Sequence, residues 1–142
     1  MNPQMTGSRI LVVDDEPDIL ALLEQHLQEE GYTALTATTG TEAIVMAHAE
    51  RPDLILLDVM MPGMSGFDVC NLLRDSPETR FIPVIFLTAV AETPKKVMGL
   101  RLGAEDYVTK PFDLHELSVR ISVALRRARR HAGAGDEAGA AT

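Results

Sequence analysis

Ile10-Leu11-Val12-Val13-Asp14-Asp15 joins a short, largely β-branched apolar run directly to two carboxylates. The same join recurs along the chain. Leu54-Ile55-Leu56-Leu57 runs into Asp58, and Val84-Ile85-Phe86-Leu87 into Thr88. Tyr107-Val108-Thr109 leads into Lys110-Pro111. Short continuous apolar runs read as strands buried on both faces. In a parallel sheet, residues just past the carboxyl ends of the strands converge on one edge, where α/β proteins bind ligands. Three carboxylates, a hydroxyl and an ammonium would then share one site. That composition suits a divalent metal and a phosphoryl group.

Helical segments fill the intervals. Pro17 opens a helix to about Glu30 with Ile19, Leu20, Leu22, Leu23 and Leu27 on its apolar side, and Gly31 ends it. Further strands are expected over 32–37, 54–57, 83–87 and 106–108, after the first at 9–13. Further helices are expected over about 41–50, 66–74, 93–102 and 114–130. Strict alternation predicts an α/β doubly wound parallel sheet of five strands with five helices and right-handed crossovers. The all-apolar strands belong at the centre and the more polar 32–37 and 106–108 at the edges, which the order 2-1-3-4-5 satisfies. That order puts a switch point between strands 1 and 3, beside Asp14, Asp15 and Asp58. Residues 1–8 read as a disordered leader, 9–130 as the domain, and the Gly/Ala-rich 131–142 as a flexible tail.

A chain of 142 residues with 46% apolar and 24% charged residues suits one globular domain. The single cysteine, Cys70, allows no internal disulfide, which fits the reducing cytoplasm where the chain is expected to work. No apolar run approaches a membrane span, and a net charge of −8 argues against direct nucleic-acid binding. Arg126, Arg127, Arg129 and Arg130 cluster where the last helix is expected to end, and there they would complement its dipole. His26, His48, His115 and His131 show no metal spacing.

Apposed carboxylates repel each other unless a cation or a proton intervenes. A small cluster of hard oxygen ligands selects Mg2+, and because that ion keeps several waters, two carboxylates and one carbonyl suffice. Asp14 or Asp15 could instead cap the helix starting near Pro17, but that leaves Asp58 unexplained. Lys110 is a point charge able to reach a phosphoryl oxygen, and the Thr88 hydroxyl can donate to another. Singly, Thr88 reads as a strand-end cap and Lys110 as a solvated loop lysine. With each at its own strand end, they read together as a phosphate site.

These motifs resemble those of the response-regulator receiver domains of two-component signalling, over about residues 8–128. The resemblance rests on Asp14-Asp15, on Asp58 to Gly66 (DVMMPGMSG), on Thr88-Ala89, and on Gly103 to Phe112 (GAEDYVTKPF). It implies a flavodoxin-like fold with Asp58 as phosphoacceptor. It also implies Mg2+ held directly by Asp15, mostly through water by Asp14, and by Asp58 and the backbone carbonyl of Met60. Thr88 and Lys110 would contact the phosphoryl group, Tyr107 would be the switch aromatic drawn inward with Thr88, and Lys110-Pro111 would be cis. A sensor histidine kinase or phosphotransfer protein would supply the phosphohistidine. The domain would not be an enzyme on an outside substrate, although it would catalyse its own phosphorylation. Met60 and Val90 occupy the two positions that vary in the family. Both are apolar and unable to orient a water, so autodephosphorylation should be slow.

The chain is also similar to the receivers of winged-helix transcriptional regulators. Those receivers dimerise through the face of the fourth helix, fifth strand and fifth helix. The equivalent pairs would be Lys96–Glu116, Asp106–Arg120 and Glu105–Arg127, each charge-complementary. The alternative is that these are exposed charges paired within one chain. Only twelve residues follow 130, so a stand-alone receiver and a piece of a longer regulator both remain open. Three other readings fit less well. A dehalogenase-type phosphatase needs an aspartate where Met60 stands. A flavodoxin-type cofactor binder needs a phosphate loop where Asp14-Asp15-Glu16 stands. A degenerate receiver would lack part of the five-residue site.

Overall fold

The computed structural model describes residues 7–89 and 103–141, with side chains described through Arg130. The strands are β1 (Arg9–Val13), β2 (Thr33–Ala37), β3 (Leu54–Asp58), β4 (Val84–Thr88) and β5 (Asp106–Thr109). The helices are α1 (Pro17–Glu29), α2 (Gly40–Glu50), α3 (Gly66–Arg74) and α4 (Leu114–Ala141). All strand pairs are parallel, in the order β2-β1-β3-β4-β5. The helix expected over 93–102 lies outside the described residues, as do Val90 and Lys96.

Successive strand side chains point to opposite faces, so the apolar runs feed two cores. Ile10, Val12, Leu54, Leu56, Ile85 and Leu87 pack on the face covered by α1 and α4. Leu11, Val13, Ile55, Leu57, Val84 and Phe86 pack on the face covered by α2 and α3. β3 and β4 are buried along their whole length, whereas the edge strands β2 and β5 are partly exposed. Burying each such Leu or Ile contributes about 1.5–3 kcal/mol, and that pins the register: a slip by one residue would exchange the two cores.

Two chain-end expectations change. Gly7 and Ser8 belong to the fold: the Gly7 N–H donates to the Gly31 carbonyl at 2.8 Å, and the Ser8 carbonyl accepts from the Thr33 N–H at 2.9 Å. The stretch expected as a flexible tail is instead helical to Ala141. An established helix adds residues without a new nucleation cost. The alanines of 132–141 have the highest helix propensity, and no proline interrupts them. The arginines at 126–130 therefore lie within the helix, and the end-of-helix dipole account of them no longer applies. Among the described residues, no helix is long and apolar enough to cross a membrane.

Candidate functional site

The sheet brings four strand ends together. Asp14 follows β1, Asp58 closes β3, Thr88 closes β4 and Lys110 follows β5. The registers Val13↔Leu57, Asp58↔Leu87 and Thr88↔Thr109 set them at nearly one level. Asp14, Asp58 and Thr88 are buried, at 0%, 3% and 2% exposure. Asp15 and Glu16 are exposed beside them.

Lys110 ties the carboxylates to one another. Its Nζ donates to Asp14 Oδ2 at 2.7 Å and lies 3.5 Å from Asp58 Oδ1 and 3.8 Å from Glu16 Oε1. Burial works against the ammonium's charge, but the hydrogen bond to Asp14 and the fields of Asp58, Asp14 and Glu16 outweigh it, so the lysine titrates above its ordinary range. Asp58 is pushed up to about 6, mainly by burial and then by the Asp14 charge. Lys110 and the Met60 N–H, which donates to Asp58 Oδ1 at 3.2 Å, pull it partly back.

Oxygens of Asp14, Asp15 and Glu16 lie within 4.8 Å of one another. Asp58 stands outside this tightest group, linked to it through Lys110. Neither aspartate serves as the cap of α1: the N-cap is Glu16, which makes no side-chain cap bond, while Asp14 Oδ1 accepts the Glu16 N–H at 2.9 Å. The charge balance bears on a metal. One ammonium lies near two buried carboxylates and the exposed Glu16, with Asp15 beside them, and burial first and then the Asp14 charge make Asp58 hold its proton unusually well. The donors are all hard oxygens, so the residues fit Mg2+.

The loop after β3 keeps Val59 and Met61 in the core and exposes the Met60 side chain. It ends in a capping box, with the Asp68 N–H donating to Ser65 Oγ at 3.2 Å and the Ser65 N–H to Asp68 Oδ2 at 3.0 Å. At β5, the Lys110 N–H donates to the Thr88 carbonyl at 2.7 Å and the Lys110–Pro111 bond is cis. Tyr107 is half-buried, its ring 5.8 Å from that of Phe86, which packs edge-on against Phe67 at 5.0 Å.

The expected intermolecular pairs are largely occupied within one chain. Arg120 holds Asp106 at 2.6 Å and Glu116 at 2.9 Å, and Arg127 approaches Glu105 at 4.0 Å. Lys96, the expected partner of Glu116, is outside the described residues. Reading the residues missed Glu16 as a member of the acidic cluster, although it adjoins Asp14-Asp15 in sequence. It also missed the aromatic contact of Tyr107 with Phe86, for which the only signal was the period of the neighbouring strands.

Comparison with known proteins matches most of the chain. Residues 10–122 match the response regulator receiver domain family. The chain is 48% identical over 121 residues to the alkaline phosphatase synthesis transcriptional regulatory protein PhoP of Bacillus subtilis, covering 85% of this chain and 50% of that protein. It is 45% identical over 121 residues to the phosphate regulon transcriptional regulatory protein PhoB of Rhizobium meliloti, covering 85% and 53%. The chain thus spans about half the length of these relatives. Among solved structures it is similar to the chemotaxis protein CheY4 of Vibrio cholerae, with TM-score 0.80, 33% identity, and 84% of this chain and 99% of that one covered. A CheY-like receiver domain protein of Methanospirillum hungatei matches with TM-score 0.83 and 28% identity, covering 89% and 99%.

Proposed function

This chain belongs to the response regulator receiver domain family, and from that membership we propose that Asp58 accepts a phosphoryl group from the phosphohistidine of a sensor histidine kinase or phosphotransfer protein in the cytoplasm. One observation carries the reading: a buried carboxylate stands 3.5 Å from a lysine ammonium that a second buried carboxylate holds in place.

An ionised Asp58 oxygen attacks phosphorus, the phosphorus–nitrogen bond of the donor breaks, and the imidazole leaves with the bond's electron pair. No general base is needed, because the ionised carboxylate carries no proton. Lys110 offsets negative charge on the phosphoryl oxygens in the loose transition state. Asp14, Asp15, Asp58 and the Met60 carbonyl would hold Mg2+, with Glu16 beside them. When bound, the ion would add a second positive charge to the transferring group. The Thr88 hydroxyl contacts the phosphoryl group and Tyr107 follows it inward, altering the β5–α4 face. That face is the proposed output surface, for a partner or for a phosphorylation-linked homodimer.

Incubation with a small acyl-phosphate donor and Mg2+ tests this. Intact-mass analysis at neutral pH should show one added phosphoryl group on the wild type and none on Asp58→Asn. Equal labelling of both forms contradicts it.

A further inference from the structure

Gly66, the first residue of α3, lies against the main chain of Asp58. A Cβ placed on Gly66 would overlap the Asp58 carbonyl oxygen at a distance real side chains do not adopt, and would stand 3.0 Å from both the Asp58 carbonyl carbon and the Val59 Cα. The backbone of Gly66 is not in the left-handed region, so space and not conformation demands glycine here. Gly63 in the same loop is the opposite case, with φ +75° and open space where its Cβ would be.

Neither side of this contact can easily recede. Asp58 is held in register with Leu87 of β4, and the Val59 N–H donates to the Leu87 carbonyl at 3.0 Å. On the other side, Val69, Cys70 and Leu73 seat α3 in the core, and the Gly66 N–H donates to the Val59 carbonyl at 3.0 Å. Interiors this closely packed transmit a misfit rather than absorb it. The misfit would fall on the peptide that carries the Asp58 carboxylate.

We propose that Gly66 is a positioning residue for Asp58: its bare Cα lets the first turn of α3 rest on the Asp58 peptide and so sets where the carboxylate stands relative to Lys110 and Asp14. The inference rests on the proposed role of Asp58 and deepens it. A displacement of about 1 Å at a reacting group can cost roughly 100-fold in rate.

Gly66→Ala tests this, with Gly40→Ala as the comparison. A Cβ on Gly40 is also crowded, though less severely, at 2.9 Å, and by the side chains of Met64 and Val69, not by Asp58. Both variants should lose stability in denaturant. Only Gly66→Ala should label roughly 10- to 100-fold more slowly from a small phosphodonor at matched folded fraction, and only it should bind Mg2+ more weakly by amide-resonance titration. Wild-type labelling and wild-type Mg2+ affinity in folded Gly66→Ala overturn the inference. Should Gly66→Ala not fold, the wild-type amide resonances decide: Gly66 should shift on Mg2+ addition while Gly7, at the far end of β1, stays still, and an unmoved Gly66 overturns the proposal. If the wild type takes no phosphoryl group at all, the role of Asp58 fails, and the Mg2+ titrations still judge Gly66 separately.

Discussion

Lys110 sits closer to Asp14 than to Asp58: its Nζ is 2.7 Å from an Asp14 oxygen and 3.5 Å from an Asp58 oxygen. The ammonium therefore serves first as the counter-ion of a fully buried carboxylate, and that fixes it within reach of the acceptor. Asp58, with the weaker hold on the lysine, bears the cost of burial.

That cost predicts a stability change of unusual sign. The folded-state pKa of Asp58, about 6, lies above its ordinary 3.8. A raised carboxyl pKa means that the folded state binds the proton more tightly than the unfolded one. Its contribution is favourable at low pH and is lost as pH rises from about 4 through about 6. Asp58→Asn should therefore be more stable than wild type by about 1–3 kcal/mol in metal-free buffer at pH 7.5. The gain should vanish near pH 4, where Asp58 is protonated. Urea titrations at the two pH values check this.

Lys110→Met should have the opposite effect. It leaves Asp14 buried without its cation, which costs about 2–4 kcal/mol at pH 7.5. Millimolar Mg2+ should restore part of that loss, and should restore less in Lys110→Met combined with Asp15→Asn. Thermal melts with and without Mg2+ read both effects.

The exposed Met60 side chain cannot direct a water at an aspartyl phosphate. Met60→Gln supplies a hydrogen-bonding group there and should shorten the phosphorylated lifetime by about tenfold, the value of one hydrogen bond made in the transition state. Decay of the labelled protein after removal of donor and kinase measures it. An unchanged lifetime removes Met60 from the account.

The output face yields a further test. Arg120 already bridges Asp106 and Glu116 within one chain, so a two-fold interface would have to exchange these pairs between copies. Exposed pairs of this kind are worth about 0–1 kcal/mol each, so Arg120→Glu should change stability little. Beryllofluoride with Mg2+ should dimerise the wild type in light scattering and leave Arg120→Glu monomeric. A wild type that stays monomeric removes the dimer.

Much of this was legible in the residues because burial leaves a plain mark. The apolar runs at 9–13, 54–57 and 83–87 read best as central strands, and the more polar 32–37 and 106–108 as the edges. Polar residues closing each run then placed Asp14, Asp58, Thr88 and Lys110 together. What stayed hidden depends on differences of about an ångström or on weak preferences. Nothing in the sequence says that Lys110 chooses Asp14 over Asp58, or that Asp106 and Arg120 meet within the chain when a partner copy could equally serve. The crowding at Gly66 left no mark in the sequence, because it comes from a carbonyl brought close by tertiary packing. The alanine- and glycine-rich end suits coil and helix almost equally, and continuation of an existing helix decided it.

Borohydride trapping tests the central claim most directly. Wild-type protein phosphorylated with Mg2+ and a small acyl-phosphate donor is reduced with tritiated borohydride, digested and sequenced. The tritium should fall at position 58 alone, as homoserine. Tritium at Asp14 or Asp15, or no tritium at position 58 in protein that carries a phosphoryl group, would contradict the assignment of Asp58 as the acceptor.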